Sequence, residues 1–253
     1  ILLFLLFLIP FSFNSYATIE IDITEGNREP LPIAITNFFH DGNEKITNTD
    51  LPSKIRGVIQ NDLESTGLFN SIDEKAFIQE NKSLHLKPRF ADWRLINSQG
   101  LVTGDLKIED DRLKVEFRLW DTLAEKEIEG LVLITTPDNW RRISHMIADK
   151  IYERLTGEEG YFDTRIVSVA EEGPKNNRVK KLAIMDQDGA NHKFLTSGKE
   201  LVLTPRFNPV RQEITYLSYF KNLPRVYLLN IQTGIQEVVG DFPGMTFAPR
   251  FSP

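Results

Sequence analysis

The sequence predicts an α+β N-terminal domain of mixed helices and antiparallel strands, followed by an incomplete all-β propeller. Three observations carry that prediction. Helical and strand periods are mixed up to Gly160, the helical period vanishes after it, and the second stretch repeats itself with a step of 44 residues. The expected organisation is a signal peptide over 1–17, an extended N-terminal segment over 18–29, an α/β domain over 30–160, and about two propeller blades over 161–253.

The leader sets the compartment. Ile1 to Phe13 is apolar apart from Ser12, and Ser15 and Ala17 suit the small-x-small pocket of a signal peptidase. An apolar run of about a dozen residues falls short of the roughly 20 that span a bilayer as a helix. Cleavage after Ala17 is therefore expected, with no membrane span in the exported part. A chain opening on Ile, with no basic residue ahead of the apolar run, is expected to lack its first few residues.

Composition narrows the function classes. Hydrophobic residues make up 41% and charged residues 26%, enough for a real core. The net charge of -6 argues against nucleic acid, which calls first for a basic patch. With no Cys there is neither a disulfide framework nor a thiolate metal site. Such a chain must rely on core burial and strand pairing, as is common in a bacterial periplasm.

Each element has its local reason. "PIAITNF" (32–38) reads as a short buried strand. Ile55, Val58, Ile59 and Leu63 form the apolar stripe of a helix, with Asp50 as N-cap, Pro52 in the first turn and Gly67 as a left-handed stop. A weaker helical pattern covers 88–96. Three alternating runs, 101–108, 113–121 and 128–136, are joined by short polar connections and predict an antiparallel meander. Trp140, Ile143, Ile147, Ile151 and Leu155 then mark a second long helix, with Asp138 as cap and Gly157 as stop.

After Gly160, strand-like runs follow at 165–171, 179–186, 192–197, 213–219, 225–231 and 235–240. "TPRFNP" at Thr204 returns as "APRFSP" at Ala248, and the turn after Asp186 is answered by the turn after Asn230, each pair 44 residues apart. A period near 40–45 filled by short strands is the signature of a propeller blade. A β-sandwich with two look-alike hairpins is the alternative on these residues alone. Propellers close with 4–8 blades, so the natural chain is expected to run on beyond Pro253.

No catalytic constellation is evident. His40, His85, His145 and His192 are scattered without metal-ligand spacing, and no G-x-S-x-G elbow occurs. No cofactor or metal is expected. His145 reads as a partly exposed structural residue. Trp93, Trp120 and Trp140 read as core, Glu109 to Asp111, Glu158 and Glu171 as solvated turn residues, and Lys180 and Lys181 as an exposed, soluble strand edge. Propellers also precede serine peptidase domains, which would place a nucleophile and its His downstream of Pro253. A ligand-binding module would need a pocket.

The front of the exported part alternates, with Ile19, Ile21 and Ile23 on one side and Glu20, Asp22 and Thr24 on the other. Such a segment can add to a partner's sheet edge, or pair with this chain's own first sheet as a terminal strand.

Taken together, the parts resemble the TolB family, periplasmic components of the Tol-Pal system. The resemblance rests on "RLTGEEGYFDTRIVSV", matching at Leu155, Thr156, Gly157, Gly160, Phe162, Thr164, Arg165 and Ile166. It rests equally on Ile21, Ile23, Gly26, Pro32, Ile33, Ala34 and Phe38 at the front. The chain departs from the family's pattern in "NPVRQE" (208–213), which lacks the usual Asp-Gly turn, in Asn37 where a Pro often stands, and in the acidic Glu20 and Asp22.

The resemblance implies a periplasmic, non-enzymatic, monomeric adaptor that maintains the outer membrane and draws it inward during division. Its first mature residues would bind the C-terminal domain of inner-membrane TolA. Here these are Thr18, Ile19, Glu20, Ile21, Asp22, Ile23, Thr24, Glu25, Gly26, Asn27, Arg28 and Glu29. The outer-membrane lipoprotein Pal would bind the propeller face and bias whether that segment is free.

Overall fold

The computed structural model describes residues 19–21, 29–80, 87–240 and 248–252. They fall into two units, one ending at Gly160 and the other beginning at Tyr161.

In the first unit the elements run β1 (Leu31–Ile35), α1 (Glu44–Thr49), α2 (Leu51–Ser65), β2 (Phe69–Ser71), α3 (Phe90–Leu95), β3 (Gly100–Glu109), β4 (Arg112–Asp121), β5 (Lys126–Thr135) and α4 (Trp140–Thr156). One sheet in the order β2-β1-β3-β4-β5 carries them. The expected meander β3-β4-β5 is antiparallel, and β1 joins it parallel to both β2 and β3. Asp110 and Asp111, at φ 49° and 57°, make the two-residue β3–β4 turn, because two successive positive φ values match the strands' twist.

Period two is plain in β4. Leu113, Val115, Phe117 and Leu119 are buried, and Lys114, Glu116, Arg118 and Trp120 are only partly covered. Helices α2 and α4 pack on each other and on the sheet, burying Ile55, Ile59 and Leu63 from one and Ile143, Ile147, Ile151 and Leu155 from the other. A second cluster gathers Ala34 and Leu101 with Trp93 of α3, and Phe77 and Trp120 pack against it.

Capping differs from expectation at two places. Asp50 makes no side-chain cap for α2; it stands at φ 50° and its N–H closes the unanticipated helix α1, which Asn43 caps at its start. Two helices abut there, so Asp50 is a junction and its side chain is not needed as a cap. Asp138 lies in a 3-10 turn, Pro137–Asn139, ahead of α4. Trp140 is half-buried with the Arg141 guanidinium 5.9 Å from its ring centre, outside the buried stripe. Gly67 and Gly157 take the expected left-handed stops, at φ 72° and 76°. No helix among the described residues is long and apolar enough to cross a membrane.

The second unit holds two antiparallel sheets. One is β6 (Arg165–Glu172), β7 (Val179–Asp186) and β8 (Lys193–Phe194). The other, in the order β12-β11-β10-β9, contains β9 (Val202–Phe207), β10 (Glu213–Ser218), β11 (Arg225–Asn230) and β12 (Gln236–Val238). Leu182 of the first packs with Val202, Tyr216 and Leu229 of the second. Strand β9 is absent from the runs read in the sequence, since Pro205 cannot donate to a ladder. It is tolerated because β9 is an edge strand with a bulge, where Thr204 and Pro205 together oppose Tyr216. Thr204 at φ 49° and Ala248 at φ 46° take the same left-handed turn before proline in the two copies of the repeat. The four-stranded and three-stranded sheets match a propeller fragment.

Lys180 and Lys181 lie on the end of β7 that β8 does not reach, since β8 pairs only with Ala183 and Ile184. Strand β7 is central in its sheet, and the two lysines pair across the ladder with Glu171 and Glu172, each at 2.7 Å. Glu171 is thus a strand residue, and the Lys180 ammonium bonded to it lowers its pKa.

A docked N-terminal segment as candidate functional site

Of the residues expected to bind a partner, Ile19, Glu20, Ile21 and Glu29 are described; Thr18 and residues 22–28 lie outside the described residues. Ile19 and Ile21 are buried against the first unit and Glu20 is exposed, as the alternation requires. They are not a strand of the sheet. Among the described residues, two of their backbone N–H groups make hydrogen bonds to the first unit. The Ile19 N–H donates to Asp121 Oδ2 at 3.0 Å, and the Ile21 N–H donates to the Leu155 carbonyl at 2.6 Å.

Both acceptors follow from local structure. The last turn of a helix leaves carbonyls without intrahelical donors. At the end of α4, Gly157 N–H takes the Glu153 carbonyl, the Thr156 hydroxyl takes that of Tyr152, and the segment satisfies Leu155. Asp121 ends β4 and is fully buried; its Oδ1 accepts from the N–H groups of Leu123 and Ala124 at 2.9 and 2.8 Å, an Asx-type turn. That leaves Oδ2 for Ile19.

The docking is marginal by magnitude. Burying two isoleucines contributes roughly 3–6 kcal/mol, and one hydrogen bond to a carbonyl with one to a carboxylate about 2–4.5 kcal/mol. Ordering three backbones and two branched side chains costs about 4–8 kcal/mol. For these three residues the favourable and opposing terms are of similar size, so a single hydrogen bond is a large part of the balance.

Sequence reasoning missed two groups. Asp121 ends the alternating run 113–121, and its link to the front segment has no signal in the sequence. His145 is buried, not partly exposed, and its Nδ1 lies 2.6 Å from the equally buried Asp62 Oδ2. A polar residue on a buried helix face needs such a partner. Both side chains are nearly inaccessible, 2% and 1% exposed.

In the second unit a cleft of about 400 Å³ is lined by Leu195, Glu200, Tyr216, Phe220, Tyr227 and Gln236, among others. Its Tyr216 and Tyr227 rings stack at 5.6 Å, and the Tyr216 hydroxyl donates to Gln236 Oε1 at 3.0 Å. These groups are engaged with one another.

An α+β module followed by stacked sheets with a 44-residue step defines the class: a two-unit protein that joins a mixed domain to propeller blades. The chain belongs to the TolB family. The family model of the TolB amino-terminal domain matches residues 19–128, and that of the TolB beta propeller domain matches 152–253. The chain is 60% identical over 252 residues to the Tol-Pal system protein TolB of Pelagibacter ubique (strain HTCC1062), covering 97% of this chain and 56% of that protein. It is similar to the crystal structure of TolB from Acinetobacter baumannii, with a TM-score of 0.73, 27% identity, and coverage of 92% of this chain and 55% of that one. The chain thus spans about half the length of the relatives it matches.

Proposed function

We propose that this chain acts in the periplasm as a non-enzymatic adaptor of the Tol-Pal system. Its N-terminal segment, Thr18 to Glu29, binds the C-terminal domain of TolA, and the propeller face binds Pal. Together they connect the two membranes and support outer-membrane integrity and invagination during division. Family membership supports the system. The observation that carries the TolA contact is the alternation at the front: Ile19 and Ile21 inward, Glu20 outward, with the N–H groups of Ile19 and Ile21 bonded to Asp121 and Leu155.

An extended segment with that pattern is suited to adding to a sheet edge, where main-chain bonds give affinity and alternate side chains fill pockets. The row that docks on this chain is the row a partner would seat. Self-docking and partner binding therefore compete for Ile19 and Ile21, and any ligand that favours one state shifts the population of the other. Pal at the propeller is such a ligand in this reading.

Calorimetry of the chain with and without residues 18–29 against TolA's C-terminal domain tests it. Loss of binding on deletion is expected; unchanged affinity refutes the assignment.

A further inference from the structure

We infer that Asp121 is the positioning residue that sets how much of the N-terminal segment is docked. The inference deepens the adaptor reading above and rests on it only for the effect on partner affinity.

The geometry divides the carboxylate into two jobs. Oδ1 holds the turn after β4 through Leu123 and Ala124, contacts two and three residues away. Oδ2 reaches a donor 102 residues earlier in the chain, the Ile19 N–H. The first job is local and belongs to the fold. The second joins the segment to the sheet and lasts only while the segment is docked. Asp121 is fully buried while the segment is docked, and the Ile19 N–H is the donor that Oδ2 accepts from there. A hydrogen bond accepted by a carboxylate is stronger than one between neutral groups. The carboxylate therefore weights the docked state beyond what Ile19 and Ile21 contribute by burial.

The second anchor makes a separate reporter. Ile21 donates to Leu155 and makes no bond to Asp121, so protection of its amide reports the position of the segment. If Asp121 matters only to the turn, changing Oδ2 leaves Ile21 as it was.

Asp121→Asn makes that change with little else. The amide oxygen can keep the bonds from Leu123 and Ala124, and the NH₂ then faces the Ile19 N–H, donor against donor. Hydrogen exchange of the intact chain, read by NMR, is expected to show Ile21 exchanging about tenfold faster or more, with Leu123, Ala124 and β4 amides unchanged. Ile19→Pro removes the donor from the other side and leaves the turn untouched. In that background Asp121→Asn is expected to add nothing, the signature of two groups acting through one bond. Unchanged protection of Ile21 in Asp121→Asn overturns the inference, as does an additive effect in the double variant.

Partner affinity is then a second readout. A segment that is more often free binds with an apparent dissociation constant lowered in proportion to its free fraction, so tighter binding of TolA's C-terminal domain is expected. Faster Ile21 exchange with unchanged TolA affinity supports Asp121 as the positioning residue and overturns the TolA assignment instead.

Discussion

Tyr216 shows how one side chain ties stability to pH. Its ring is buried between the sheets, and burial, with lesser contributions from Tyr227 and Glu200, pushes the phenol up to about 12. An unfolded tyrosine titrates near 10. Between those values the folded chain keeps a proton that the unfolded chain has lost, so stability falls as pH rises from about 10 through about 12. Tyr216→Phe is expected to flatten that decline in denaturant titrations; equal slopes for both proteins would contradict the assignment. At this scale the sequence was only partly legible. The histidine pattern on α4 was visible, yet its partner Asp62 lies 83 positions away and is joined to it only by packing of α2 on α4. The lysines of β7 were legible only in part, since charge alone does not reveal the carboxylates that stand opposite them on β6. Asp121 needed the fold as well, because its second oxygen serves a segment 102 residues away.

Elements with their own periodic signal were the legible ones. Helices α2 and α4 and the meander β3-β4-β5 carry period and punctuation over many residues. Helix α1, with 6 residues, and strand β2, with 3, are too short to show a period. Strand β9 was hidden by its proline. Within the meander one position has no room. A Cβ on Gly104 would meet the ring of the fully buried Phe38 and lie 2.6 Å from the Glu116 carbonyl oxygen. Gly104→Ala is expected to destabilise the first unit by about 1–3 kcal/mol through overpacking, read as a lower urea midpoint. A midpoint equal to that of the parent would show that the sheet opens more easily than the close approach of β3, β4 and Phe38 implies.

For the whole molecule, the repeat step of 44 residues and the leftover front segment were the informative features of the sequence. The repeat was legible because "TPRFNP" and "APRFSP", and the turns after Asp186 and Asn230, recur at one step of 44 residues. The alternation of the front was legible, but its docking was not, since its acceptors are a helix-end carbonyl and a buried carboxylate. The central claim is that this front segment is held reversibly, by a balance in which one hydrogen bond counts. Native-state hydrogen exchange of the Ile21 amide against the amides of β4, measured in the absence of denaturant, tests it most directly. The account predicts that Ile21 exchanges through local opening, about a hundredfold sooner or more than β4. Protection of Ile21 equal to that of β4, with both exchanging only on global unfolding, would contradict it.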